Sequence, residues 1–542
     1  MSNYNIIISP QSLSDMRTMG VPQIISVVLL LLVITADDSQ SAKILGLFPF
    51  PARSHLISIT ALMKELARRG HQVTVVSSFP SPPMANYTDI IVKDTFPEKD
   101  SINFFEFFDE GMFSWLKIVF FWHMGLSTCE RALQVPDIQK LIHDQNLDFD
   151  VIIFENFISE CFYGFVHKLK IPVINISPNS ALLAMGNPVG NTYNPSYMPD
   201  SMLGYKDHMT FKERIANTLI TLLTSVGRRI MYLPRQDALI RKYFEDSSFP
   251  GIAVLEPNAS LYLLNTHISI GFPQPYTPNT IEVGGMHIKD PKPLPKDLQK
   301  IMDEAEHGVI YFSLGSNVRS SDMPKEMLQV FLDVFSKLKQ RVLWKWEKDS
   351  LPGQPSNVQL GKWLPQSDIL AHPNLRLFIT HGGLLSTQEA IYRGVPLLAI
   401  PVMGEQKSNA ERAKESGYAL MLDWRNITSE SLNSAVDELI NNPRYRENVQ
   451  HLSVLFRDRQ QPPLERAVYW VEYVLRHNGA PHLRSAALDL YWYQFYLLDV
   501  LAVVLGVVLL GLTGSGLTCW TIYRVFFQKK KSNPVTKSKK MK

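Results

Sequence analysis

Residues Trp363–Gln406 read WLPQSDILAHPNLRLFITHGGLLSTQEAIYRGVPLLAIPVMGEQ. Within this stretch the apolar run Leu375–Thr380 has the length and composition of a buried strand. It ends in His381-Gly382-Gly383, after which Leu384–Arg393 reads as a short helix with Gly394 as its C-terminal stop. A second apolar run, Pro396–Val402, leads to Gly404-Glu405-Gln406. Strand, glycine turn, helix and strand make a parallel crossover unit, and a glycine turn at a helix N-terminus is a site for phosphate.

The polar residues in this unit suit a nucleotide-sugar. Trp363 offers a flat face for a base, with the amide of Gln366 beside it in the same Pro-bearing loop, and Glu389 offers an acceptor for ribose hydroxyls. His381 and the N–H groups that follow can hold a diphosphate, while Glu405 and Gln406 can hydrogen-bond a hexose. A purely structural reading also exists, because Ser386-Thr387-Gln388-Glu389 fits a helix capping box.

Taken together and in this order, these residues resemble the signature of the animal UDP-glycosyltransferases, the glucuronosyl- and glucosyltransferase type, with arthropod-like features. The likeness is close from about Leu255 to Val500, including LERAVYWVEYVLRHNGAPHLRSAALDLYWYQFYLLDV from Leu464, and looser between Pro80 and Gly251. The resemblance implies an α/β chain of GT-B architecture, two Rossmann-like doubly wound domains facing a cleft. It implies a UDP-sugar co-substrate, a small lipophilic acceptor, and neither cofactor nor metal. The implied donor contacts are Ser316, Trp363, Gln366, His381, Gly383, Ser386, Glu389, Glu405 and Gln406.

Composition bounds the rest. A chain of 542 residues is long enough for two domains with sizeable cores. Net charge is +3, yet Arg524–Lys542 alone carries eight basic residues and no acid, so the remainder is mildly acidic. Nucleic acid is thereby an unsuitable partner, since phosphate binding needs a basic face on the folded part. The three cysteines, Cys129, Cys161 and Cys519, define no metal-ligand spacing, and a Cys129–Cys161 bridge, which needs an oxidising lumen, is left open.

In chain order, Ile24–Ala36 reads as the apolar core of a secretory signal peptide (residues 1–36), with Met16 or Met19 as alternative starts. Residues 37–270 form the expected N-terminal, acceptor-binding domain. There Ile44–Phe48, a loop, a helix from His55 to Arg69 and the strand Val73–Val76 repeat the crossover pattern. His55 sits where the loop meets the helix N-terminus, whose dipole disfavours imidazolium. By resemblance it is the general base for the acceptor hydroxyl. Glu155 follows the buried strand Asp150–Phe154 and stands where vertebrate members carry an Asp that pairs with that His. Asp148-Phe149-Asp150 matches a three-residue metal motif of another transferase architecture, but Asp150 simply enters a strand. The aromatic stretch Ser101–Leu126 supplies core and some lining for a lipophilic pocket, and Phe211–Leu233 reads as an amphipathic helix too polar to span.

Gly271–Pro295, rich in proline, is the expected interdomain linker (271–295). Residues 296–490 are the expected UDP-sugar domain, opened by the strand Val309–Leu314 with Gly315-Ser316 at its end and closed by a helix from Leu464 to Arg476. Val500–Ile522 is uncharged and flanked by Trp492, Tyr493, Tyr496, Trp520 and Tyr523, which makes residues 497–523 a transmembrane helix in contact with membrane lipid. The basic tail 524–542 is then cytosolic and the large domains lumenal, and Lys539-Lys540 resembles an endoplasmic-reticulum retrieval signal. Sequons at Asn86, Asn258 and Asn426 fit a lumenal glycoprotein, and Asn175, after an apolar strand, fits it least. Homo- or hetero-oligomers in the membrane stay open.

Three departures from the family pattern count against simple transfer of function: Glu155, Leu385 in place of an Asn near the phosphate, and Glu405 in place of an Asp. They keep a second class of reading in view, a member that binds UDP-sugar or a lipophilic ligand without transfer, and a third, a membrane adaptor with no UDP binding. Between donors, the arthropod-like features lean to UDP-glucose, with UDP-glucuronate close behind.

Overall fold

A computed structural model describes residues 41–93, 95, 102–107, 114–181 and 185–528. The expected leader and nearly all of the basic tail, with its paired lysines, lie outside the described residues. Seven strands make the first sheet: β1 Lys43–Phe48, β2 Gln72–Ser77, β3 Tyr87–Ile91, β4 Val151–Glu155, β5 Val173–Ser177, β6 Leu261–Leu264 and β7 Thr280–Glu282. Six make the second: β8 Val309–Ser313, β9 Arg341–Lys345, β10 Val358–Gly361, β11 Leu375–Thr380, β12 Leu397–Ala399 and β13 Ala419–Met421. The orders are β3-β2-β1-β4-β5-β6-β7 and β10-β9-β8-β11-β12-β13, with every pairing parallel. Strands such as VIIFE of β4 and VIYFS of β8 are buried along their whole length because helices cover both faces of a doubly wound sheet.

The helices that carry the argument are α1 Arg53–Arg68, α2 Ser114–Gln134, α3 Phe211–Gly227, α4 Leu384–Arg393, α5 Gln406–Glu415, α6 Pro463–Arg476 and α7 Leu498–Tyr523. In α1, Leu56, Ile59, Leu62, Met63 and Leu66 fall on one face at helical spacing and are buried against the first sheet. Helix α4 ends as the sequence predicts, at Gly394 in the left-handed conformation. Cys129 of α2 is disulfide-bonded to Cys161, which follows β4.

Two expectations about the boundary need correction. The stretch 271–295 is not all linker, because Thr280–Glu282 inside it pairs with β6 as the seventh strand of the first sheet. Nor does α6 close the second domain. Its stripe Ala467, Val468, Val471 and Val474 is buried in the same apolar cluster as α1 and β6. Small and β-branched side chains let α6 seat closely there, and Glu472 lies 3.5 Å from Arg69, which also pairs with Glu465. Chain from the second domain therefore returns to brace the first. Between the two, the Gln388 amide of α4 donates to the carbonyl of Asn265 (3.0 Å) and accepts from the N–H of Gly285 (3.0 Å).

Helix α7 has no buried residue, and with the turn that follows, the helical stretch Leu498–Phe527 is long and apolar enough to cross a membrane.

Candidate active site

The carboxyl ends of the two sheets face each other across a cavity of about 350 Å³, a size ordinary for small-molecule sites. Its walls differ in chemistry. On the first-sheet side the lining is apolar, with Phe120, Phe121, Met124, Phe157, Met185 and Met202. On the second-sheet side, polar groups come from the loops after β8 and β11 and from the starts of α4 and α5.

His55, in the first turn of α1, holds its Nδ1 2.7 Å from Oε1 of Glu155 at the end of β4. Glu155 is fully buried behind it, and the Phe157 ring meets the imidazole edge-on at 4.6 Å. Because Glu155 accepts the Nδ1 proton, the ring's Nε2 is the free lone pair on the cavity side, where His55 is part of the lining. The added methylene of Glu relative to Asp does not prevent the pairing.

Across the cavity His381 follows β11. Gly315 and Gly383 flank its ring so closely that a Cβ on either would lie 2.5 Å from a ring atom. Gly315 also holds a positive φ of 84°, so glycine is required there twice over. Burial, with the cation of Lys345 nearby, lowers the His381 imidazole to about 4, so the ring is neutral at pH 7. The N–H groups of the first turn of α4, capped by Gly383 with no side-chain partner, open beside it. Ser316 lines the same corner.

Glu389 lies in mid-helix on α4, and its Oε2 accepts from Nε2 of Gln366 (2.6 Å), which also reaches the Ser386 hydroxyl (3.0 Å). The capping-box reading of Ser386–Glu389 therefore fails: the helix cap is Gly383, and the carboxyl turns to the cavity instead. Burial raises that carboxyl to about 7. Trp363 stands at the rim, 59 % exposed, with the Arg53 guanidinium 5.6 Å from its ring.

Glu405 and Gln406 begin α5. Burial raises the carboxyl of Glu405, opposed by the neighbouring His55. The Gln406 carbonyl oxygen accepts from the N–H groups of Val402 (2.9 Å) and Met403 (3.0 Å), which leaves its NH2 as the group for a ligand. Every implied donor contact thus lines the cavity, as does His55, while Glu155 stands behind His55.

Sequence reasoning missed His287. Its side chain is 1 % exposed, lines the cavity, and has Nε2 3.9 Å from Oε1 of Glu389. Neither ring nitrogen makes a well-formed hydrogen bond, and burial, partly opposed by the backbone of Leu385, lowers the ring to about 4. It follows Val283-Gly284-Gly285-Met286, inside the stretch read as linker, so no periodic signal marked it. Tyr311, in the expected strand Val309–Leu314, and Lys345, at the end of β9, line the cavity as well.

Other candidates fall elsewhere. Asp148 and Asp150 lie at the opposite end of β4 and are engaged by the Lys43 side chain and N–H. Among the described residues no group of three His, Cys, Asp or Glu side chains is placed to hold a metal ion. Of the aromatic stretch, Phe104, Phe120 and Phe121 line the cavity, whereas Phe105 and Trp122 are core. Asn86, Asn258 and Asn426 are exposed, and Asn175 is buried in β5.

The chain is similar to known proteins over most of its length. Residues 43–533 match the family described as "UDP-glucoronosyl and UDP-glucosyl transferase". The chain is 40 % identical to a UDP-glycosyltransferase, UGT5, of Dactylopius coccus over 85 % of its length and 88 % of that protein's. It is 32 % identical to human UDP-glucuronosyltransferase 2B17, covering 84 % of this chain and 88 % of that one. Among solved structures, a UDP-glucose:anthocyanidin 3-O-glucosyltransferase in complex with UDP superposes with a TM-score of 0.53 at 15 % identity, over 81 % of this chain and 99 % of that chain, which speaks for the shared fold alone.

Proposed function

This chain belongs to the UDP-glucuronosyl and UDP-glucosyl transferase family, and from that premise we propose that it moves a hexosyl group from UDP-glucose or UDP-glucuronate to a hydroxyl of a small lipophilic acceptor, with inversion and without a metal. The observation that carries the reading is the His55–Glu155 pair at 2.7 Å, with His55 lining the cavity across from His381 and the polar groups of the second sheet.

The acceptor oxygen attacks the anomeric carbon while its proton passes to Nε2 of His55. The new O–C bond forms as the bond from that carbon to the diphosphate oxygen breaks, and UDP leaves with the electron pair from the opposite face. Glu155 fixes the tautomer of His55 and offsets the charge that the imidazolium gains. Charge developing on the diphosphate meets the first-turn N–H groups of α4, the Ser316 hydroxyl and neutral His381 as a donor. Glu389, Gln366 and His287 surround the place for ribose, Trp363 offers the base a flat face, and Glu405 with the Gln406 NH2 greets the hexose.

The setting we propose is a single-pass type I protein of the endoplasmic-reticulum membrane, anchored by α7, with both sheets lumenal. The Cys129–Cys161 bridge suits an oxidising lumen, and exposed Asn86, Asn258 and Asn426 are open to glycosylation there. Conjugation of lipophilic compounds, as in detoxification or hormone and pigment chemistry, is the corresponding role.

The test is UDP release from membrane-bound protein with a panel of phenols, flavonoids and steroids, each donor supplied separately and EDTA present. Acceptor-dependent release with one donor supports metal-independent transfer and names the sugar. UDP binding with no release from either donor replaces this reading by binding without transfer.

A further inference from the structure

Helix α3 is built inside out. Phe211, Ile215, Leu219, Leu222, Leu223 and Val226 are each 45–69 % exposed. At about 100° per residue they fall within one arc of about 120°. The residues it turns inward include Asn217, Thr221 and Thr224, all buried. The inward choice is specific, since Asn217 donates to the carbonyls of Pro195 and Met198 (2.8 and 2.9 Å) and accepts from the N–H of Asp200 (2.8 Å). A water-facing helix shows the opposite pattern, and a continuous aliphatic face of this kind marks a contact with another apolar phase.

The fold says which phase. The loop from Gly186 to Met198 lies along α3, with Gly186 against the Arg228 guanidinium just past the helix end and Met198 on Asn217. Midway, Gly190 lies against Leu488, ten residues before α7 begins. Gly190 is four steps of chain from Gly186, a reach of about 14 Å at most. Exposed Tyr491, Trp492 and Tyr496, side chains that favour the lipid headgroup level, follow at once. Basic residues flank the aliphatic face, Lys212 and Arg214 at its start and Arg229 and Arg235 beyond its end, all exposed, while Glu213 is the lone acid of α3 and is used in its N-cap. Long basic side chains around an apolar stripe suit phospholipid headgroups.

We propose that α3 lies in the interface of the bilayer that α7 enters, its aliphatic face among acyl chains, as a second membrane contact made by the acceptor half. The inference rests on the proposed anchoring by α7. It would seat the loop carrying Met202, held through Asp200 and Asn217, at the surface where lipophilic acceptors dissolve.

The test uses full-length protein in nanodiscs of phosphatidylcholine and phosphatidylserine. An environment-sensitive fluorophore is placed at native Cys519, or, in a Cys519→Ser background, at Leu219→Cys or at exposed Lys140→Cys. Spin-labelled lipid is expected to quench Leu219 and Cys519 and to leave Lys140 bright. Should Leu219→Cys lose UDP binding, Leu222→Cys takes its place. Cys519 quenched with Leu219 unquenched overturns the proposal, whether Leu219 is in water or, by a blue shift that vanishes in single-copy discs, against a second copy of the chain. Quenching at Leu219 without Cys519 removes the span and with it the proposal as stated, and quenching at neither removes both.

Discussion

The two walls of the cleft are made in opposite ways. The donor wall comes largely from one continuous run, Trp363–Gln406, in which each turn places a polar group by its own backbone: Gly383 caps α4, His381 is clasped by two glycines, and Glu389 reaches Gln366 across one strand and helix. The acceptor wall is assembled from side chains scattered between Phe50 and Met202, nearly all apolar, and packed by tertiary contact. A wall of the first kind fixes one ligand by hydrogen bonds. A wall of the second selects by shape and is free to vary without harm to the donor site.

Four changes sharpen that contrast, and the largest effect belongs to the carboxylate behind His55. Glu155→Ala is expected to lower kcat by about 10²-fold, and Glu155→Asp to recover part of it, with UDP affinity unchanged in both. Equal loss in kcat and in UDP binding would mean that Glu155 is only structural. Gly383→Ala drives a methyl into the His381 ring, and with a typical overpacking cost of about 1–3 kcal/mol the UDP Kd rises by about five- to 150-fold, read by calorimetry on a variant shown to be folded.

The donor wall was legible because its signals are local. Apolar runs, glycine stops and the polar residues between them lie within a few residues of one another, so strand, turn and helix placed them together. The acceptor wall was not, because periodicity gives the faces of a helix and not the partner of each face. Phe211–Leu233 reads as an amphipathic helix and Leu464–Arg476 as the helix closing the second domain, yet α3 turns its aliphatic side outward and α6 packs on the sheet of the other domain. His287 escaped for a related reason: it lies in irregular chain, and only the folded contact with Glu389 gives it meaning.

The third change is in pH. The Glu389 carboxyl titrates near 7 in the free protein, and ribose hydroxyls donate best to its ionised form. Donor KM is therefore expected to be flat above pH 8 and to rise as pH falls through 7, about tenfold between pH 8 and 6, with Glu389→Gln abolishing the slope. UDP-sugar rather than UDP is the probe, since its diphosphate does not titrate in that range. The smallest effect is on the acceptor wall: Met202→Ala, which removes apolar lining from a half-buried position, raises KM for the acceptor about fivefold and leaves donor KM alone. Changes in both constants would show that the two walls are not independent.

The central claim is that His55 does the chemistry while the opposite wall holds the nucleotide. The direct measurement is a paired one on folded His55→Ala, UDP affinity by calorimetry and acceptor-dependent UDP release at saturating donor. The account predicts an unchanged Kd with release slowed by about 10²- to 10⁴-fold. Full turnover with intact UDP binding would contradict it.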